Sequence, residues 1–172
     1  MEVLEIIKKR RSIRKFFSKP IPEKVINELA EALIWAPSAG NLQSRKFYFV
    51  FNQKIKEKLA EASRDQWSFI AKVPLVIVGC VDYKNAEHYG EKGKNIFSIC
   101  DVASSVQNLM LLAYSKGLGS VWVGAFDEEK VIEILNLPKN LLPIAMIPVG
   151  YPAEKPEIPP RLPKDKAITI IK

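Results

Sequence analysis

From Ile96 to Ser115 the chain carries a single charged residue, Asp101. The spacing predicts one helix about 30 Å long at 1.5 Å per residue. Its apolar side chains fall on several faces, with Ile96, Cys100, Ala103 and Leu111 on some and Val106, Leu109, Met110 and Ala113 on others. A helix so poor in charge is buried nearly all round. In a chain of 172 residues, about one domain's worth, this predicts a central core helix that also meets a second subunit. Gly117 is placed to end it as a C′ glycine.

The remaining elements arrange themselves around that helix. Val3, Leu4, Ile6 and Ile7 recur at helical spacing, so residues 2–9 form a first helix. Pro22 and Glu23 start a second, buried through Val25, Ile26, Leu29, Ala32 and Leu33. It stops before Pro37, because the residue ahead of a proline is pushed out of the α region. Ser38–Ser44 is a polar loop, and Phe47–Phe51 is a β-prone run. Ile55, Leu59 and Ala62 mark a third helix, and a short one follows over Asp65–Ala71. Leu75–Val81 reads as a strand buried on both faces. Tyr83–Asn95 reads as a short polar loop. Ser120–Val123 and Ile144–Gly150 are further strands, with a helix capped by Asp127 between them. Tyr151–Lys164 holds five prolines and is extended; Ala167–Ile171 reads as a terminal strand. The order predicts a single α+β domain over residues 1–172, with helices around a central mixed sheet. Residues 151–172 form an arm whose apolar end is suited to another subunit's sheet.

Charge and motifs narrow the functional classes. A formal net charge of +7 favours an anionic partner. The aromatics lie in apolar strands and form no basic, aromatic-studded stripe, which argues against nucleic acid. Cys80 and Cys100, the only cysteines, sit in apolar runs without metal-ligand spacing and read as buried thiols. No cluster predicts a metal. His88 is the only histidine and sits in a polar segment, so no triad is built on it. Met1–Glu5 has neither a basic n-region nor a long apolar core, and no uninterrupted apolar run reaches membrane-spanning length, so the expected location is cytoplasmic, off the membrane. Gly117-Leu118-Gly119 precedes a strand and lacks the third glycine of a dinucleotide fingerprint.

What the chain does offer is anion chemistry. Arg10-Arg11-Ser12-Ile13-Arg14 packs three guanidiniums and a hydroxyl into five residues. Arginine's planar fork suits bidentate binding of phosphate. Arg10 and Arg14 would share a helix face; in an extended chain Arg10, Ser12 and Arg14 would share one side. Arg161 on the proline-rich arm is a further candidate anion ligand. Ser38, Asn41 and Gln43 could hydrogen-bond a polar cofactor. Side chains fit to hold an anion, with few fit for chemistry, suit a protein whose cofactor carries the reaction.

Five segments together resemble the FMN-dependent nitroreductase family over almost the whole chain. They are Arg10–Phe16, Ala36–Gln43, Val73–Val78, Gln107–Leu109 running into Gly117–Phe126, and Pro148–Pro152 with Arg161 downstream. The resemblance implies an intertwined homodimer with two FMN clefts at the subunit interface. It implies that Arg10, Ser12 and Arg14 hold the phosphate and ribityl end, with Arg11 close by and Arg161 as a further phosphate ligand. Pro37, Ser38 and Asn41 match positions lining the flavin, often from the partner subunit. Gly124, with Val123 and Ala125, matches backbone positions near the reactive ring edge, where fixed donors stabilise developing charge. No side chain is expected to be catalytic, and NADH or NADPH is the expected donor. The acceptor would be a flat small molecule: a nitroaromatic, quinone or flavin. A reductive dehalogenase and a flavin binder without turnover are the alternatives. The chain departs from the family at one point: the loop continues Gln43-Ser44-Arg45 where Gln-Pro-Trp is usual.

Overall fold

The computed structural model describes residues 2–64 and 67–172. Helix α1 (Val3–Lys9) is followed by a short strand β1 (Phe16–Phe17) and helix α2 (Glu23–Ile34). A 3₁₀ turn at Ala39–Asn41 precedes β2 (Arg45–Val50) and α3 (Gln53–Ala62), whose first turn is capped by the Asn52 side chain. The short helix expected over Asp65–Ala71 is α4 (Phe69–Lys72) in the structure; residues 65 and 66 lie outside the described residues. Strand β3 (Leu75–Asp82) follows.

The next segment corrects the sequence reading. Residues 83–97 are helical, not a loop: α5 (Tyr83–Ala86), a 3₁₀ turn at Glu87–Tyr89, α6 (Gly90–Lys92) and a wide-turned stretch Gly93–Phe97. The two glycines that read as loop residues have different jobs. Gly90 (φ +56°, ψ −144°) breaks the helical path in a conformation that only glycine adopts freely. Gly93 lets two turns close on each other: a Cβ there would lie 2.2 Å from the Ala86 carbonyl oxygen.

The chain then enters α7 (Ser98–Ser115), β4 (Gly119–Ser120), α8 (Glu128–Leu135), β5 (Leu141–Pro152) and a single turn α9 (Lys164–Ala167). Asp127 caps α8 through the Lys130 amide, and Asn136 ends it in the left-handed region.

The sheet runs β1-β5-β3-β2, with β4 also on β5. Its ladders are antiparallel. The parallel component of the expected mixed sheet is a single bridge between Ser12 and Ser120. β3 is the shared wall of two cores. Val76, Val78 and Cys80 face the layer built with α3, α4 and α8; Leu75, Ile77 and Val81 face α2 and α7. Each fully buried aliphatic side chain contributes roughly 1.5–3 kcal/mol, and Leu75 to Val78 are all wholly buried. This strand therefore ties both layers together. Opposite Gly79 and Cys80 the register slips by one, and Ile144 and Ala145 both turn to the α7 side, as a bulge requires.

α7 is the central helix the sequence called for, with Val102, Val106, Leu109 and Ala113 fully buried. The helical run Tyr83–Ser115 is long and apolar enough by composition to cross a membrane, yet 44 % of its most apolar window is packed inside the protein. It is the core helix of the fold. Burial pushes the Cys80 thiol up to about 12, so it stays protonated and inert. Cys100, expected to be buried, is exposed on the side of α7 away from this core.

The C-terminal tail also differs from expectation. Lys164–Ala167 forms α9, and Ile168, Ile170 and Ile171 are exposed. Among the described residues the tail pairs with no strand of its own chain. A strand exists only against another edge that takes its backbone hydrogen bonds.

Candidate functional site

The structure settles the geometry of the arginine-rich segment. α1 ends at Lys9; Arg10 is already extended (φ −55°, ψ 135°), and the chain continues so to β1. Extended backbone alternates its side chains. Ile13 is buried, and its amide donates to the Ser120 carbonyl at 3.1 Å. Gly119 gives it room, since a Cβ there would sit 2.6 Å from Ile13 Cγ1. With Ile13 pinned inward, Arg10, Ser12 and Arg14 fall on the other side.

A second anchor brings in the arm. Ala153 donates to the Lys15 carbonyl at 2.8 Å, and the Glu154 carboxylate accepts from the amides of Arg14 and Lys15. The arm then turns so that Arg10, Arg11, Ser12, Arg14 and Arg161 line one cavity of about 280 Å³, closed by Pro156, Glu157 and Pro159. Residues separated by about 150 positions meet there.

The electrostatics agree with that role. Burial pushes the Arg10 guanidinium below its ordinary value, and Arg11 and Arg161 push in the same direction. None of the ion pairs among the described residues involves Arg10, Arg11, Arg14 or Arg161. Arg10 Nη1 and Arg11 Nε are buried without a hydrogen-bond partner, and buried donors of this kind are costly unless something accepts from them. A phosphate placed there would supply that acceptor and offset the repulsion. The residues present therefore fit the phosphate end of a flavin nucleotide.

The arginines are not equivalent. Arg11 turns back on its own helix and donates to the carbonyls of Lys8 and Arg10, where a cation suits the C-terminal end of α1. The Arg14 guanidinium lies over the Trp67 ring, 5.4 Å from its centroid. Arg161 is exposed and donates to the Pro160 carbonyl at 3.2 Å.

The other expected site residues lie elsewhere. Pro37, Ser38 and Asn41 belong to a loop fixed by α7 and β2. Ser38 Oγ accepts from the Gln43 amide at 3.0 Å, and the Pro37 carbonyl accepts from Arg45 and Ser104. The Val123 side chain is buried in the core, and its backbone exchanges two 2.9 Å hydrogen bonds with Met146. Gly124 and Ala125 are exposed, and the Ala125 carbonyl accepts from the Arg64 amide at 3.0 Å. Neither group of residues lines the arginine cavity. Within one chain the structure gathers the arginines and Ser12 but not the two groups expected to line a flavin with them.

Sequence reasoning missed several contributors. Glu154 organises the backbone beneath Arg14, and Trp67 backs its guanidinium. Tyr89 covers Gly40 in the Pro37–Ser44 loop: a Cβ on Gly40 would lie 2.5 Å from its hydroxyl. Arg45, noted only as a departure, grips the same loop.

Comparison with known proteins agrees with this architecture. The nitroreductase family model matches residues 7–77 and 67–151. The chain is 33% identical over 188 residues to an NADH dehydrogenase of Thermus thermophilus, covering 93% of this chain and 91% of that protein. It is 32% identical to an NADPH-dependent oxidoreductase of Staphylococcus aureus, covering 95% of this chain and 70% of that one. Among solved structures, it superposes on the NADPH:FMN oxidoreductase from Vibrio harveyi complexed with NAD⁺ with a TM-score of 0.90, at 27% identity over 99% of this chain and 77% of the other. The chain belongs to the nitroreductase family.

Removing the capping arginine should separate structure from binding. Arg11→Ala is expected to lower stability by about 1 kcal/mol through the lost helix-end hydrogen bonds. It should weaken inorganic phosphate binding less than Arg10→Ala does. Urea unfolding with phosphate titration measures both; equal losses of phosphate affinity would place Arg11 on the anion instead.

Proposed function

We propose that this protein is an FMN-dependent NAD(P)H oxidoreductase. FMN, when bound, would supply the redox chemistry, accepting hydride at N5 from NADH or NADPH and then reducing a flat acceptor in a ping-pong cycle. The protein's part is to bind, orient and polarise. Arg10, Ser12, Arg14 and Arg161 hold the phosphate and ribityl end, with Arg11 adjacent. Pro37, Ser38 and Asn41 line the flavin, and the backbone at Val123, Gly124 and Ala125 stands at its reactive edge. No side chain serves as nucleophile. Among the described residues there is no group of His, Cys, Asp or Glu fit to hold a metal.

One observation carries this reading: an arginine cluster with no ion pair among the described residues, with buried Arg10 and Arg11 donors lacking an acceptor, in a chain of this family. At about 280 Å³ the cavity is smaller than the ~300 Å³ at which pockets for drug-sized ligands begin. It suits the phosphate end, and the ring must extend beyond it.

A homodimer supplies what one chain lacks. Val3, Leu4 and Ile7 on α1, Trp35 after α2, and Ile96 and Ile99 around the start of α7 are all exposed. Apolar surface on that scale marks an interface. Strand β2 pairs on one side only among the described residues, and the tail carries exposed isoleucines without a partner. The arm expected to cross, residues 151–172, stays on its own chain as far as Arg161, beside Arg10–Arg14; the exposed tail beyond it is the part that reaches the partner, and each flavin site draws on both chains. The protein works in the cytoplasm, with no nucleic-acid or membrane partner.

The purified protein should be yellow, and NADH or NADPH should bleach the flavin band without oxygen. A nitroaromatic or quinone should restore it. A flavin that binds but does not bleach would reduce the protein to a passive binder, and colour restored only by halogenated phenols would favour the dehalogenase alternative. Chain cut after Pro163 keeps Arg161 but lacks the apolar tail. It should sediment as a monomer and lose FMN in parallel; a cut dimer with stoichiometric FMN would refute the crossing arm.

A further inference from the structure

We propose that Arg45 and Asp101 form a positioning pair that holds the Pro37–Ser44 loop in a disfavoured backbone conformation, so that it meets the flavin already ordered. The inference rests on the reading of Pro37, Ser38 and Asn41 as flavin-lining residues.

The loop has two backbone bonds of its own, from Asn41 N to the Ser38 carbonyl and from Leu42 N to the Ala39 carbonyl, both at 3.0 Å, but it carries three residues in the left-handed region. Gly40, Asn41 and Gln43 have φ of +56°, +55° and +52°. Glycine adopts this region freely and asparagine tolerates it, but glutamine does not. Inside the loop Gln43 gains a bond from its amide to Ser38 Oγ and a long one from Nε2 to the Asn41 carbonyl at 3.4 Å. Conformations of this kind persist where surrounding structure over-determines them.

That surrounding structure is a single network centred on two side chains. Asp101 is the one charge on α7, and it is buried. Its carboxylate accepts from Ala39 N at 2.9 Å and from Ser44 N at 3.3 Å, near the two ends of the loop. Arg45 spreads its guanidinium across four carbonyls: Ala36 at 2.6 Å, Pro37 at 2.9 Å, Ile34 at 3.1 Å and Asp101 at 3.4 Å. One planar fork thereby ties the end of α2, the start of the loop and α7 together. A lysine has one nitrogen and cannot reach all four. Asp101 also steadies the charge on Arg45 against the burial that lowers its pKa. Ser104 Oγ adds a second donor to the Pro37 carbonyl at 3.2 Å.

The network faces the loop more than the core. Among residues 37–44 only Ser44 is buried, and none of them belongs to either apolar core. Loosening it should release the loop while the sheet and its two layers stay assembled. A loop that visits its binding geometry a tenth of the time weakens apparent affinity tenfold.

The test uses the full chain, titrated with FMN, with visible circular dichroism of the bound flavin and thermal melting as companion measurements. Arg45→Met should raise the Kd for FMN at least tenfold and alter the flavin dichroism at saturating FMN. Asp101→Asn, which turns a donor toward one of the two amides, should do the same. Arg45→Lys should recover part of the loss. The double variant should be little worse than the worse single one, because both remove one network. If Arg45→Met does not accumulate folded, Arg45→Lys carries the test through the same dichroism. Affinity within twofold of the parent in both single variants overturns the proposal, as does a loss that follows the melting temperature with unchanged dichroism. Asn41→Ala separates the two levels. If Asn41→Ala weakens FMN binding and Arg45→Met does not, the pair alone fails. If neither weakens it while Arg14→Ala does, the loop does not line the flavin and that reading fails as well.

Discussion

Like charges held together set the terms for this structure. Arg10, Arg11, Arg14 and Arg161 line one small cavity, and no carboxylate forms an ion pair with any of them among the described residues. Such a cluster is unfavourable at Arg10, whose guanidinium is pushed down by burial and by the charges of Arg11 and Arg161. It persists because the backbone beneath is fixed by other forces. Ile13 is locked into the core against Gly119, and the Glu154 carboxylate draws the arm onto Arg14 and Lys15. The fold supplies the stability, and in the proposed reading an anion would relieve the repulsion at Arg10.

The scaffold that makes this feasible is the β3–β5 pair with α7 behind it. β3 offers one face to each core, and α7 fills the space between β3 and α2. β5 then emerges as the arm that carries Arg161, while α7 presents Asp101 to the loop of Ser38 and Asn41. Two distant parts of the proposed flavin site are thus oriented by the same sheet and helix. Neither is a feature of a loop alone.

The parts legible in sequence were those governed by local pattern. The apolar run Leu75–Val81, the capped helix after Asp127 and the low-charge helix ending at Gly117 all follow rules that a few neighbouring residues satisfy. Arg10–Arg14 could be read as a clamp, but its extended geometry depended on Ile13 finding Gly119, more than a hundred residues away. Residues 83–97 looked like a loop because Gly90 and Gly93 break helices in isolation; Gly93 instead permits two turns to touch. The tail Ala167–Ile171 has a strand's composition, but a strand needs an edge, and the tail pairs with no strand of its own chain among the described residues. Asp101 carried the most information that went unused. A lone charge on an otherwise apolar buried helix requires partners, and here they are the loop amides beside Arg45.

The dependence on an anion can be measured by comparing FMN with riboflavin, which differ by the phosphate alone. If the arginine cluster anchors the cofactor, FMN should bind about a hundredfold more tightly, equivalent to one or two charge-assisted hydrogen bonds. That advantage should shrink as salt rises and screens the exposed part of the cluster. Equal affinities for FMN and riboflavin at low salt would contradict the account.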